Sequence, residues 1–257
     1  SLVFAVLNTC FALYGHAQPA TPTSYFKTIF LADKKDGMSF PAFDRYQMQR
    51  HVPLVLEIPD MSGYSVNMAM QPEAEPPCSL YVELWFKDAE VFQQAMASEA
   101  AATAIADQPN LLEKQATMIA VKEYLLKAPP PRQYTEASGL YKATFFAVKK
   151  ASMSHDEYVD YQLKTHAPLV LEIPGLRGYE VNIVQHAVAE SEYDAVVHVW
   201  FDDAAAFEAG MSSAKAQRAI ADQANFLETE ALQMMIVDER MIRAPEGLPP
   251  AAAGSGR

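Results

Sequence analysis

Seventeen residues from His51, HVPLVLEIPDMSGYSVN, return 115 residues later as HAPLVLEIPGLRGYEVN from His166. The same shift carries Lys27 onto Lys142, Trp85-Phe86 onto Trp200-Phe201, and Ile105–Gln108 onto Ile220–Gln223. It also carries Asn110, Leu112 and Glu113 onto Asn225, Leu227 and Glu228, with no gap expected anywhere. Self-similarity at a fixed period is the mark of one supersecondary unit used more than once. Whatever fold one copy takes the other must take too, and the two modules are expected to pack around a shared apolar pocket. The reading divides the chain into a leader at 1–23, a first module at 24–126, a linker at 127–139, a second module at 140–243 and a disordered tail at 244–257. The three prolines of Lys127–Gly139 make the linker a semi-rigid spacer.

Each copy reads as β-α-β-β-α-β. Lys142–Val148 alternates and carries aromatic residues, as a strand does. Ser154 and Glu157 form a capping box, with Met153 and Tyr158 as the hydrophobic staple around it. The first copy keeps Ser39 as cap and Met38 with Phe43 as staple, but Ala42 stands where the glutamate would be. This helix is expected to stop near His166, before Pro168. Gly178–Asn182 and Ala195–Phe201 are the next strands. Asp203 then caps one helix with a buried stripe of Phe207, Met211 and Ile220, and Gln233–Val237 is the last strand. Val196, Val197, Val199, Trp200 and Phe201 are apolar on both faces of their strand. A sheet with helices on one side and water on the other would alternate. The second face is therefore covered by the other copy's sheet, either face to face or closed into a barrel. Duplication then supplies within one chain what a single-copy protein obtains by dimerising, and the chain is expected to be a monomer containing a pseudo-dimer.

Half the residues are hydrophobic and a fifth charged, the balance of a globular protein, and the formal net charge is −12. No basic cluster offsets that charge, which argues against nucleic acid as a partner. Two cysteines, Cys10 and Cys78, make neither a disulfide framework nor a cysteine metal site. No pattern combines histidines and carboxylates at metal-ligand spacing, and there is no phosphate loop, nucleophile elbow or dinucleotide fingerprint, so no metal and no cofactor is expected. Ser1–Tyr14 is apolar and is followed by small residues at Gly15 and Ala17, which suits a signal-peptidase site ahead of Gln18, although a basic start is missing. Export follows if this is a signal peptide, and a cytoplasmic location if it is not. The stretch is too short for a permanent membrane span, and no membrane association is expected.

The helix ending in His-x-Pro-Leu, the Pro-Gly-hydrophobic-x-Gly-Tyr turn, the strand ending Trp-Phe-x-Asp and the Asp222–Leu227 segment together resemble the EthD family. The resemblance covers Phe26–Glu123 and Tyr141–Glu239. The second copy matches better, with Gly175-Leu176-Arg177-Gly178 where the first has Asp60-Met61-Ser62-Gly63. It implies an α+β fold: two ferredoxin-like βαββαβ modules packed as an intramolecular dimeric α+β barrel. Similar family members look like dehydratases or decarboxylases, and related barrels include isomerases, monooxygenases that work without a cofactor, and haem-handling proteins. Fold alone selects none of these chemistries.

His166 and His51, each at a helix end before a proline, are the first candidates for general acid/base catalysis, facing the barrel interior. The other role open to them is capping the helix through nearby carbonyls. His198 lies among valines, and its counterpart is Glu83. A titratable group there in both copies points to a pocket, or else to a structural pair between the copies. Tyr64 and Tyr179 start the second strands and Asn67 and Asn182 end them. Residues three apart in a strand face opposite ways, so at most one of each pair lines a pocket. Tyr46 and Tyr161 are pocket or core residues, Trp85 and Trp200 are substrate contacts or plain core, and Asp107 and Asp222 cap or stop a helix. His155 and His186, aligned with Phe40 and Gln71, are expected at the surface. The leading expectation is a cofactor-independent lyase, isomerase or oxidative enzyme acting on a small aromatic or apolar molecule. His166 would transfer the proton with His198 or His51 assisting, and His166→Ala alone would abolish turnover. The rival is a non-catalytic binding module or an accessory protein of a degradative oxidoreductase system. A third reading gives the duplication a purely stabilising role.

Overall fold

The structure, a computed structural model, describes residues 20–70, 76–130 and 138–246. Most of the leader, the centre of the linker and most of the tail lie outside them. Eight antiparallel strands form one closed barrel in the order β1-β3-β2-β8-β5-β7-β6-β4, with β4 returning to β1. The first module supplies β1 (Phe26–Ala32), β2 (Met61–Ala69), β3 (Leu80–Phe86) and β4 (Thr117–Lys127). The second supplies β5 (Tyr141–Ala147), β6 (Gly178–Val184), β7 (Ala195–Phe201) and β8 (Gln233–Arg243). The modules join through two antiparallel seams, β2 with β8 and β4 with β6. Closure removes every sheet edge and covers the second face of β7, the arrangement its apolar pattern demands. The last strand runs six residues past the expected Val237, because β8 continues along β2 to make this seam.

The copies are not gap-free. Lys27 pairs with Val121, whereas Lys142 pairs with Val237, so β4 and β8 are related by 116 residues rather than 115. The extra residue enters just before β8, where Thr229–Ala231 forms a 3-10 turn.

Helices cover the outside of each half-barrel. In the first module α1 (Phe40–Tyr46) runs through a five-residue π-helical turn, Gln47–His51, into α2 (Val52–Leu56). The second repeats this with α5 (His155–Tyr161), Gln162–His166 and α6 (Ala167–Leu171). The helix therefore does not stop before the proline as expected. Pro168 has no N–H, and its ring crowds the carbonyl four residues back. The helix accommodates this by widening, with Ala167 N–H bonded to the Gln162 carbonyl five residues back. Val52 bonds Gln47 in the same way. Ser154 and Glu157 form the capping box, while Ser39 caps α1 alone.

The second helical region is two helices in each copy, not one. They are α3 (Ala89–Met96) with α4 (Glu99–Asp107), and α7 (Ala204–Met211) with α8 (Ala214–Gln223). Ser98 and Ser213 each cap a new helix start, which breaks the periodicity assumed across them. The buried residues there are Gly210, Ala216 and Ala219, while Ile220 is 38% exposed. No helix among the described residues is long and apolar enough to cross a membrane.

The seams are locked by small residues. A side chain on Gly178 would meet Pro129 Cβ at 2.8 Å and Trp200 at 2.8 Å, and Gly63 lies equally close to Pro245. The proline that follows each module thus seats against the start of the other module's second strand, Pro129 on Gly178 and Pro245 on Gly63. Gly178→Ala is expected to destabilise the protein by ~1–3 kcal/mol through overpacking, measured by urea unfolding. An unchanged midpoint would contradict the contact.

Candidate functional site

Alternation along the strands sends two sets of side chains in opposite directions. The inward set is not the apolar pocket expected. Lys27 and Lys142 are fully buried at the centre of the barrel with Glu83, Glu123, Glu180 and Glu239. Lys27 Nζ lies 2.7 Å from Glu83 Oε1, 2.8 Å from Glu123 Oε1 and 2.6 Å from Glu180 Oε1. Lys142 Nζ lies 3.3 Å from Glu83 Oε2, 3.0 Å from Glu239 Oε1 and 2.9 Å from Asn67 Oδ1. Trp85 donates to Glu123 and Trp200 to Glu239.

His198, fully buried, has Nε2 3.1 Å from Glu83 Oε1 and Nδ1 3.1 Å from Thr144 Oγ1, and Tyr81 stacks on its ring. Burial and the neighbouring Lys142 hold His198 below the ordinary imidazole value, against the pull of Glu83. Burial raises the Glu83 carboxyl, but Lys142, Lys27 and His198 outweigh it and hold the group well below the usual range.

His198 and Glu83 line neither module's apolar cavity and pair with each other between the copies. β3 and β7 lie opposite each other in the closed order, so equivalent positions meet across the pseudo-two-fold axis. Two glutamates there would repel one another. One glutamate and one histidine attract. Glu83, Glu180 and His198 also sit close enough together to hold a metal ion. The Lys27 ammonium, bonded to both carboxylates, already provides the positive charge at that point. Asn67 and Asn182 face inward with this network, whereas Tyr64 and Tyr179 face outward, so each pair divides between the two faces as their spacing requires.

Two apolar spaces lie outside the barrel, one in each module, between the sheet and its helices. The first, about 280 Å³, is bordered by Gln47, His51, Tyr64, Val82, Leu84 and Gln108 among others. The second, about 200 Å³, is bordered by Gln162, His166, Tyr179, Val197, Val199 and Met211. His51 and His166 thus face the cavity of their own module, not the barrel interior. The cause is the π-helical turn, which projects the glutamine at its start and the histidine at its end towards the sheet. Such turns recur at functional sites.

Each histidine is held by an aspartate. His166 Nδ1 is 2.9 Å from Asp222 Oδ2, while Tyr161 donates to Asp222 Oδ1 at 2.7 Å and Asn225 at 2.9 Å. The first module repeats this with His51 Nδ1 2.9 Å from Asp107 Oδ2, Tyr46 at 2.8 Å and Asn110 at 3.0 Å. Burial raises the Asp222 carboxyl, but the hydrogen bonds from Tyr161, His166 and Asn225 bring it below its usual value. Burial lowers the His166 pKa, and Asp222 only partly offsets it. Burial thus favours the neutral imidazole at His166, and in that form an Nδ1–H donating to the Asp222 carboxylate leaves Nε2 with its lone pair.

Tyr46 and Tyr161 belong to this arrangement by orienting the aspartates. Asp107 and Asp222 do more than the helix capping expected of them. A carboxylate in the last turn of a helix opposes the helix dipole, so its placement there needs such partners, and that conflict was the signal to notice. Gln47 and Gln162, four residues before each histidine, complete the set. Each donates to the tyrosine hydroxyl of the neighbouring strand, Tyr64 at 3.4 Å and Tyr179 at 3.1 Å. Burial holds both hydroxyls far above their ordinary pKa, so they remain donors.

The profile of the EthD domain matches residues 35–115 and matches again at 150–230, spanning both His–Asp pairs. The chain belongs to the EthD family. A comparison with curated proteins finds no match. Among solved structures, an anthrone oxidase-like protein superposes with a TM-score of 0.60 at 13% identity, over 90% of this chain and 97% of that one. A proposed monooxygenase of Fusobacterium nucleatum gives a TM-score of 0.60 at 8% identity, over 86% of this chain and 94% of its own. One from Lactobacillus acidophilus gives 0.54 at 10% identity, over 87% and 98%. At these identities the likeness is one of fold. It makes the chain a tandem EthD protein with the dimeric α+β barrel closed inside a single polypeptide.

Proposed function

We propose that each module binds a small apolar molecule bearing a hydroxyl or carbonyl group and uses its histidine as a general base on that molecule. The observation that carries this reading is the repeated Tyr–Asp–His array at the wall of an apolar cavity. An aspartate that fixes the tautomer of a neutral histidine leaves Nε2 as the proton acceptor. The tyrosine hydroxyl of the same wall then donates to the oxygen on which negative charge gathers.

The substrate class follows from the lining. A cavity of ~150 Å³ holds benzene, so spaces of about 200 and 280 Å³ suit one or two fused rings. Gln47 Oε1 and Gln108 Oε1 are buried at the first cavity without a protein partner, which favours a ligand with O–H or N–H donors. The likeness in fold to barrels described as monooxygenases and an anthrone oxidase-like protein supports an enzyme of oxidative or related type. In such a step the histidine would form the carbanion or phenolate on which later chemistry acts.

The test uses 2-tetralone, a two-ring ketone with acidic C–H bonds beside its carbonyl, in D₂O without added cofactor. His166 Nε2 takes the α-proton, the electron pair moves onto the oxygen as enolate, and a deuteron returns to carbon. Protein-dependent deuterium incorporation above the buffer rate is expected, and a rate equal to buffer overturns the reading. The acid limb also has a required sign. Exchange by the second module, measured in a His51→Ala background, should fall on acidification with its midpoint below pH ~6.5, because burial holds His166 lower than a free imidazole. A midpoint above 6.5 would contradict the neutral base.

A further inference from the structure

We propose that the second module carries a divalent transition-metal site of the zinc class, formed by His155, His186 and Asp194, none of which lines that module's apolar cavity. His155 opens α5, and His186 and Asp194 flank the connection between β6 and β7. Residues this far apart in sequence show no ligand spacing, yet the fold places one donor atom of each within 4.8 Å of the others. His186 Nε2 is 3.0 Å from Asp194 Oδ1, and the two imidazoles meet edge to face with centroids 6.2 Å apart.

A tetrahedral zinc ion with bonds of ~2.0–2.2 Å holds its ligand atoms about 3.3–3.5 Å apart. The His186–Asp194 pair already has nearly that separation, and a small rotation of exposed His155 completes it. Asp194 is 7% exposed, and its other oxygen accepts the Lys149 N–H at 2.9 Å, so the anionic ligand is fixed in advance as an outer-shell bond would fix it. Two imidazoles and one carboxylate suit zinc or a neighbouring metal rather than calcium or magnesium, and three protein ligands leave a fourth position for water.

The first module has Phe40, Gln71 and Ser79 at the corresponding positions, none offering an imidazole or a carboxylate. The site is therefore one per chain. A bound ion would tie the start of α5, the helix that leads through the π turn to His166, to the loop between β6 and β7.

The test is calorimetric titration of the chelator-treated full chain with zinc, together with elemental analysis after dialysis. The chain should bind one zinc ion, and zinc should raise its thermal midpoint. The variant His155→Phe with His186→Gln, which installs the first module's residues at two surface positions, should lose at least about tenfold in affinity and most of the zinc-dependent stabilisation, as loss of a metal's supporting groups does. Circular dichroism identical to wild type shows that this variant folds. Absence of stoichiometric uptake, or uptake unchanged in the variant, overturns the site.

Discussion

Deuterium exchange into 2-tetralone is expected to fall ~10²–10⁴-fold when His51 and His166 are both replaced by alanine, the usual contribution of a positioned acid or base. His166→Ala alone should leave about half the rate, because the first module carries the same array of Tyr46, Asp107 and His51. This differs from the expectation that loss of His166 abolishes turnover with His51 or His198 only assisting, and the reason is geometric. The cavities are separate, so neither histidine assists the other. Asp222→Asn in a His51→Ala background should approach the loss seen without His166. An asparagine amide can donate to Nδ1, which would leave the proton on Nε2 and remove the base. Circular dichroism and an unchanged unfolding midpoint for the histidine variants separate this outcome from misfolding. If the double variant retains the full rate, the histidines are structural.

Replacing Lys27 by methionine is expected to cost ~3–5 kcal/mol, the effect of removing one partner from a buried ion pair. Four carboxylates share two ammonium groups inside the barrel, and Lys27 touches three of them. Without it Glu83 keeps Lys142 and His198, but Glu180 and Glu123 lose their cation. Urea unfolding measures the loss. Adding Glu123→Gln should recover part of it, with a coupling of ~0.5–3 kcal/mol in the double-mutant cycle. The deficit should also shrink on acidification, because the stranded carboxylates become neutral as they protonate. A cost below about 1 kcal/mol would show that the network is well solvated and is not a core.

Much of the fold was legible because closure is dictated by two local facts. The duplication provided two equal sheets, and β7 had no polar face to give to water. The barrel interior was not legible, although its residues were in view. Lys27 and Lys142 align perfectly between the copies, yet a lysine near the start of a strand reads as an exposed end residue until the barrel closes over it. Glu83 and His198 were recognised as buried titratable groups, but sequence does not say that equivalent positions meet at the pseudo-two-fold axis. The histidines were found by their motif and assigned to the wrong side of the sheet. Their true direction depends on the π turn, which Pro53 and Pro168 bring about by widening the helix instead of ending it. Asp107 and Asp222 read as helix caps or stops because an aspartate near a helix end has that common and simple use. Only the 56-residue reach from each histidine to its aspartate, closed in space by the helices, reveals the other one.

The measurement that tests the account most directly is proton–nitrogen NMR of the imidazole nitrogens during titration with 2-tetralone. His166 should appear as the neutral Nδ1–H tautomer, and ligand should shift the Nε2 resonances of both His51 and His166 while leaving His198 unmoved. A ligand-induced shift at His198 with none at His51 or His166 would return the site to the barrel interior and contradict the account.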